Sequence, residues 1–161
     1  MPYIPSQINT IEDLIQLFSD IQTDMPQLAG FIYGSEEELL KVSRDAITYP
    51  VLLLDHKKMF YDENKVDYMA NFQPVIYVLK NVKPNNRTEQ TLAESETQLI
   101  IEEILARLDY YSKKYSGKPP FSFNRRVPIQ LTEKFSINNE FGWQAPLIIR
   151  TAKNVRWTPN F

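Results

Sequence analysis

The side chains best suited to chemistry are an aspartate and a histidine that stand next to each other after an apolar run. Residues 51–54 read Val-Leu-Leu-Leu, and Asp55 and His56 follow directly, before two lysines. Functional residues often lie where a buried strand ends, and a histidine beside a carboxylate could act as a general base. However, adjacent residues of a strand point to opposite faces of a sheet. We therefore favour a solvated strand end and keep a small hydrolase built on Asp55 and His56 as the weaker alternative.

Two acidic clusters, residues 36–38 and 62–63, could bind a hard cation. Neither has the Asp-x-Asp-x-Asp-Gly spacing of a calcium loop, and acidic residues at a helix start are explained by the helix dipole. One histidine and no cysteine exclude a multi-histidine or cysteine metal site within one chain and thiolate catalysis. No Gly-rich phosphate loop or nucleophile elbow is present. We expect no metal, no cofactor and no enzymatic activity.

Composition and charge favour a single domain. The chain has 161 residues, 43% of them hydrophobic. Its net charge of -2 and pI of about 5.5 give no electrostatic footprint for nucleic acid or an anionic membrane. No apolar run approaches the ~20 residues of a membrane span. Residues 1–10 lack the basic start and apolar core of a signal peptide. We expect the protein to act in a cytoplasm or in an assembly built there.

The N-terminal third predicts an extended arm, two helices and a short strand. Residues 1–9 contain two prolines and no periodicity, and Thr10 is a suitable N-cap. The following apolar residues have helical spacing: Ile11, Leu14, Ile15, Phe18 and Ile21. Residues 30–34 are a short apolar piece between glycines, which suits an edge strand. Ser35 and Glu38 form a capping-box pattern that predicts a short second helix.

Two aliphatic runs, residues 51–54 and 75–79, predict the central strands of a sheet. The polar, tyrosine-rich residues 55–69 are expected to form a connection between them. Tyr61 and Tyr68 lie in this segment, whose alternating charges suit contact with a neighbouring molecule better than catalysis. We interpret it as an assembly loop.

The C-terminal half predicts a long helix, a hairpin and a tail. The helix covers roughly residues 88–115, and its apolar stripe should comprise Leu92, Leu99, Ile100, Ile104, Leu108 and Tyr111. Residues 125–137 and 141–150 alternate in polarity around a turn at residues 138–139 and predict a hairpin with Trp143, Ala145, Leu147 and Ile149 inward. The predicted fold is α+β in the order α-α-β-β-α-β-β. It has a mostly antiparallel four- to five-stranded sheet and helices packed on one face.

Two further groups of residues are candidates for contacts with partners. Arg125 and Arg126 form the main basic cluster, which suits an acidic partner, nucleic acid or a charged edge that resists pairing. Trp157 and Phe161 lie on a tail, residues 152–161, that is too short to form a core by itself. Partner contact explains exposed aromatic residues on such a tail.

Two short motifs resemble a known family. Tyr49-Pro50 opens the run Val-Leu-Leu-Leu, and the later segment Glu140 to Trp143 reads Glu-Phe-Gly-Trp. Together with the order of elements over residues 10–150, they resemble the small tail-completion or tail-terminator-like neck proteins of tailed bacteriophages, crAss-like phages included. The segments before Thr10 and after Thr151 depart from the family pattern.

The resemblance implies a virion structural protein that forms a homo-oligomeric ring. The ring would join the portal or head to the tail, and DNA would pass through it without sequence-specific binding. Its partners would be further copies and neighbouring portal, neck or tail proteins, with no membrane. The alternative from a different class is a cytosolic adaptor that uses the same α+β fold to bind another protein. In either case we expect removal of residues 154–161 to impair assembly more than folding.

Overall fold

The computed structural model describes residues 5, 7–35, 37–38, 46–63, 68–113, 119–132, 135 and 139–153. They form an α+β fold, as predicted. The elements are α1 (Ile11–Asp24), β1 (Gly30–Tyr33), β2 (Val51–Glu63), β3 (Tyr68–Asn81), α2 (Arg87–Lys113), β4 (Ser122–Phe123), β5 (Gln130–Thr132), β6 (Glu140–Pro146) and β7 (Ile149–Lys153).

The predicted capping residues of both helices in the N-terminal third, Thr10 and Ser35, are confirmed. The Thr10 hydroxyl accepts a hydrogen bond from the Asp13 amide at 3.3 Å, and the Asp13 carboxylate accepts from the Thr10 amide at 3.0 Å. The same reciprocal bonds join Ser35 and Glu38, at 3.1 and 3.3 Å. They satisfy backbone donors that a helix start leaves unpaired. The remainder of the predicted second helix lies outside the described residues.

The sheet consists of two parts that share the long hairpin of β2 and β3. Near the core, the strand order is β1-β2-β3-β6-β5. Towards the hairpin tip, β7 replaces β6 beside β3, and β4 pairs with β7. We call this second part, made of residues 59–63, residues 68–72, β7 and β4, the distal half-sheet.

The predicted sheet was too small and too regular. Seven strands are present in the described part of the chain, rather than four or five. The β1–β2 pair is parallel, whereas the other pairs are antiparallel, so the sheet is mixed. The order of described elements is α-β-β-β-α-β-β-β-β. The short edge strand expected at residues 30–34 is confirmed as β1, whereas β4 and the separate strand β7 were not predicted.

The prediction of a connection over residues 55–69 was wrong. β2 continues to Glu63 and β3 begins at Tyr68, so most of the presumed loop is paired strand. The register shifts once, between His56 and Met59, where a β-bulge accommodates the lysine pair. The polar composition of this segment reflects a sheet with one solvated face rather than a loop.

The predicted two-stranded hairpin at the C-terminus was also wrong in its extent. Only β5 and β6 form it, and β6 ends at Pro146. Proline lacks the donor that a strand ladder needs, and after it the chain shifts to become β7 on the distal part of β3. A turn was expected at residues 138–139, and Asn139 has the left-handed φ of 57° that is typical of a turn and that asparagine tolerates.

The main core lies between the helices and one face of the sheet. Leu17 and Phe18 of α1 and Ile104 of α2 share a buried cluster with strand residues that include Leu54 and Ile76. A smaller cluster on the other face includes Val51, Leu53, Tyr77 and Leu79. The two faces therefore divide the alternating residues of the aliphatic runs, as strand geometry requires.

The predicted stripe of α2 was wrong at two positions. Leu92 and Leu99 are exposed by 66% and 68%. Ile100, Ile104, Leu108 and Tyr111 are buried as predicted. The full buried face comprises Ala93, Thr97, Ile100, Ile101, Ile104, Leu105, Leu108 and Tyr111. The hydroxyl of Thr97 donates to the Ala93 carbonyl at 2.7 Å, so this polar residue is buried without an unpaired donor.

Candidate interaction surfaces

Asp55 and His56 lie on opposite faces of β2, as expected for neighbouring residues of a strand. Asp55 is buried, and its register partner is Val75. The His56 ring packs against Phe72 with ring centroids 5.6 Å apart. Burial lowers the pKa of His56 below its usual value of 6.5, while a hydrogen bond involving the Lys58 backbone and the charge of Asp55 act in the opposite direction.

His56 lines a small cavity of about 350 Å³ between β2 and the start of α1. Its other walls include Tyr33, Met59 and Phe72. Nε2 of His56 has no hydrogen-bond partner among the described residues, and the residues that line the cavity include no carboxylate. A general base usually works with a second group that orients it, and the other polar side chains of this cavity are Asn9, Thr10 and Tyr33.

Asp62, which belongs to one of the acidic clusters, has a structural partner. Its Oδ2 atom accepts hydrogen bonds from Asn71 Nδ2 at 3.1 Å and from Arg150 Nη2 at 3.0 Å. These three residues join β2, β3 and β7 across one face of the distal half-sheet. Across the described ranges, no three His, Asp or Glu side chains are grouped as metal ligands would be.

The outer edge of β2 is open over the distal half-sheet. β1 pairs with β2 only from Val51 to Leu54, and no described strand lies beyond residues 59–63 on the side away from β3. An unpaired edge presents a row of backbone donors and acceptors that can pair with another strand. We call residues 59–63 the open edge.

Three consecutive large apolar side chains occupy the open edge. Met59 and Phe60 are each exposed by 39%, and Tyr61 is exposed by 54%. Natural edges are commonly protected by lysines or a β-bulge, and here Lys58 and the register shift lie on the core side of Met59. The features that protect the β2 edge from pairing with another strand therefore end at Lys58, and the exposed apolar residues begin at Met59.

The structure brings only some of the predicted contact residues together. Tyr61 is on the open edge, and the Tyr68 backbone pairs with Glu63 and Lys153 at the far end of β3, although the Tyr68 side chain lies outside the described part. Trp157 and Phe161 fall outside the described residues altogether. Met59 and Phe60 were not among the predicted contact residues, because the connection assigned to this region gave them no defined face.

Arg126 lines a groove of about 530 Å³ at the point where β6 gives way to β7. Pro74, Pro128 and Pro146 form part of its walls, and Lys58 lies at its margin. Arg125 and Arg126 are both exposed. The lining residues include two cations and no carboxylate, so the groove is complementary to an apolar segment that carries negative charge.

Comparison with known proteins found no matching family model and no curated protein of significant similarity. In the described part of the chain, no helix has both the length and the apolar character required to cross a bilayer.

Proposed function

We propose that the protein is a structural subunit that assembles with copies of itself into a ring, as the neck and tail-terminator-like proteins of tailed phages do. The support for the phage assignment is the resemblance in Tyr49-Pro50, in Glu140 to Trp143 and in the α+β layout. In that setting the ring belongs to the virion, joins the portal or head to the tail and surrounds the path of the DNA.

The observation that carries self-assembly is the open edge. Residues 59–63 present unpaired backbone groups together with exposed Met59 and Tyr61 on one face of the strand and exposed Phe60 on the other. Aromatic residues are enriched in protein interfaces. A partner strand would satisfy the backbone groups and cover the side chains at the same time.

The distal half-sheet is suited to hold this edge in one conformation. Asn71 is buried, and with Arg150 it binds the Asp62 carboxylate. β7 pairs with five residues of β3 and so stabilises the hairpin along the edge opposite to residues 59–63. A surface that is rigid before binding loses less conformational entropy when a partner docks.

A single lysine on the open edge tests the proposal. We expect wild-type protein to form a discrete oligomer by light scattering coupled to size exclusion and a ring by negative-stain microscopy. Tyr61→Lys should weaken association by at least about tenfold, which corresponds to ~1.4 kcal/mol, because it adds charge where a strand must pair. Tyr110→Lys is the matched control, since Tyr110 is exposed by 46% on α2 and should leave assembly unchanged.

A wild-type protein that stays monomeric at high concentration would contradict the ring. An oligomer that withstands Tyr61→Lys but not Tyr110→Lys would place the interface on α2 instead. Equal unfolding midpoints for the three proteins are needed to show that association alone has changed.

The second candidate is an adaptor that binds an unrelated protein, and the groove at Arg126 is the observation that favours it. Lys58 and Arg126 frame apolar walls that would accept a negatively charged, apolar segment. Charge reversal of Arg126, which unlike Lys58 is not next to the open edge in the chain, should weaken binding of such a partner and leave self-association intact. The two functions therefore depend on different surfaces of the protein.

A further inference from the structure

We propose that the open edge pairs with the open edge of a second copy, antiparallel and about a two-fold axis that passes through Phe60. This inference rests on the proposed self-assembly and names the first contact between copies. The occupant is another copy of the same strand, because residues 58–62 are complementary to themselves when they are read in the reverse direction.

The register centred on Phe60 gives each residue of this stretch a suitable neighbour. Met59 lies opposite Tyr61 of the second copy, and Phe60 lies opposite its own symmetry mate. Lys58 lies opposite Asp62 of the second copy. Aromatic pairs and opposite charges on facing strands stabilise a sheet, and a methionine sulfur makes favourable contacts with an aromatic ring.

The neighbouring two-fold registers lose these pairs. An axis at Met59 places Lys58 opposite Phe60, and an axis at Tyr61 places Phe60 opposite Asp62, so each leaves a charge without an opposite charge across from it. Axes at Lys58 or Asp62 bring like charges together, which destabilises a strand pair. An axis between two residues fails for another reason. Backbone groups of alternate residues point to opposite sides of a strand, so such an axis sets outward groups opposite inward ones.

The side chains lie on the faces that this register requires. Met59 lines the cavity beside Phe72, its register partner on β3, and Tyr61 is two residues further along the same strand. Phe60 pairs with Asn71 and therefore points to the other face. A two-fold axis perpendicular to the sheet keeps every side chain on its own face. Met59 therefore meets Tyr61 on one face, and the two Phe60 rings meet on the other.

Lys58 and Asp62 lie on the same face as Phe60, so their charges can meet across the strand pair. Lys58 is exposed and lines the groove beside Gln73, which is two residues from Asn71 on β3. Asp62 reaches Asn71 through Oδ2, and its side chain is 46% exposed. A carboxylate has about four acceptor sites, which leaves capacity for a lysine of the second copy. Exposed ion pairs of this kind select a register more than they add affinity.

Pairing of the two open edges joins the distal half-sheets of two copies into one continuous sheet. Each half-sheet contributes β2, β3, β7 and β4, and the two β2 strands lie at its centre. A two-fold contact uses the same patch on both subunits and is closed by itself. A ring built from such pairs therefore contains an even number of copies and closes through a second surface.

Cysteine cross-linking tests the register on the full-length chain, which has no native cysteine. Separate preparations carry one cysteine each, at positions 58 to 62 in turn. After mild oxidation, Phe60→Cys should give at least about tenfold more linked dimer than the other four, because only position 60 lies opposite itself. Cysteines at position 59 of two copies are diagonal neighbours roughly 7–8 Å apart, beyond the reach of a disulfide. Tyr110→Cys on α2 is the control for random collisions, since Tyr110 is also exposed.

A second cross-link keeps Phe60 in place. Met59→Cys and Tyr61→Cys are mixed and left to exchange subunits before oxidation. We expect the mixed disulfide to exceed either like-with-like disulfide, because these two positions face each other only across an antiparallel pair centred on Phe60.

Charge reversal at Lys58 is a measurement that needs no cysteine. Lys58→Glu places a carboxylate opposite Asp62 at two symmetric positions, so the association constant should fall by at least about threefold. Lys83→Glu is the matched control, because it makes the same change of charge at an exposed residue away from β2. Sedimentation equilibrium measures both, and equal association constants would contradict the register.

The outcomes separate this inference from the proposed function. An oligomer without a preferred disulfide at position 60 and without the mixed disulfide of positions 59 and 61 overturns the two-fold pairing and leaves self-assembly standing. A dimer that gives both disulfides and forms no ring by negative-stain microscopy confirms the pairing and contradicts the ring. A monomer with no cross-link contradicts both.

Discussion

His56 is the residue whose chemistry is altered most clearly by its surroundings. Its ring lies against Phe72, and burial lowers its pKa. Burial favours the neutral imidazole, and the ring of His56 contributes to the packing between β2 and the start of α1. Because its pKa is lowered only in the folded protein, the protonation of His56 reports on folding.

We expect the stability of the protein to fall as the pH decreases through about 6.5. Between the lowered pKa and 6.5, the unfolded chain binds a proton that the folded chain does not, so acid favours unfolding. His56 is the only histidine, and His56→Gln should remove this part of the pH dependence. Urea unfolding between pH ~7.5 and ~5.5 measures it.

An identical pH slope in His56→Gln would contradict this assignment. A direct check is the NMR titration of the single imidazole in the folded protein, which should have its midpoint below 6.5.

Leu92 and Leu99 show at the residue scale why a helical pattern assigned two exposed residues to the buried face of α2. Both are exposed, whereas Thr97 is buried. Trp143 of β6 packs against the main core. Its Nε1 donates a hydrogen bond to the carbonyl of Glu94 on α2 at 2.8 Å. The side of α2 that faces the sheet is therefore selected by contacts with β6 rather than by the hydrophobicity of each residue.

At the scale of elements, β6 approaches β3 closely at one glycine. Gly142 pairs with Leu79, and a Cβ atom at this position would lie 1.8 Å from the carbonyl oxygen of Val78. This contact explains the glycine of the Phe-Gly-Trp motif, because any side chain at position 142 would collide with the backbone of β3. The next residue, Trp143, bonds to α2. The motif is thus explained by packing.

We expect Gly142→Ala to destabilise the protein by ~2–4 kcal/mol, since the added methyl group meets backbone that must shift. Gly34→Ala is the matched control. There the added Cβ would contact Oε2 of Glu38. That side chain is flexible and can move at the cost of its hydrogen bond from the exposed Ser35 amide, so a loss of no more than about 1 kcal/mol is expected. Chemical denaturation of both variants measures the difference, and equal losses would contradict the close approach of β6 to β3.

The β2–β3 hairpin is the element that relates the fold to the proposed assembly. Near the core, β1 and β6 cover its two edges. In the distal half-sheet β7 covers the β3 edge, while residues 59–63 of β2 have no described partner strand. One continuous hairpin therefore contributes both to the core and to the surface on which we expect a neighbour to pair.

For the whole molecule, the low net charge of -2 predicts how assembly should respond to salt. If backbone pairing and aromatic contacts carry association, the association constant should change by less than about threefold between about 0.05 M and about 0.5 M NaCl, because salt screens charges rather than apolar contacts. Sedimentation equilibrium at several salt concentrations measures it. A steep loss with salt would instead implicate the cationic groove formed by Lys58 and Arg126.

The sequence by itself determined the features that depend on neighbouring residues. The capping bonds of Thr10 and Ser35 and the two aliphatic strand runs arise from contacts within a few positions, so their patterns are readable along the chain. The α+β class followed from these elements. Tyr61 stays a predicted contact residue, chosen because residues 55–69 are polar and rich in tyrosine, and the strand that carries it was not predicted.

Only the tertiary structure decided which strands are neighbours and which edge stays open. Tyr68 pairs with Lys153, and Gly30 pairs with Val51 in parallel. Such pairings are formed between residues far apart in the chain, and the local pattern of a short or polar strand resembles that of a loop until its partner is known. The open edge exists because β1 pairs with β2 only from Val51 to Leu54 and no other described strand takes its place beside residues 59–63. This is a property of the assembled sheet.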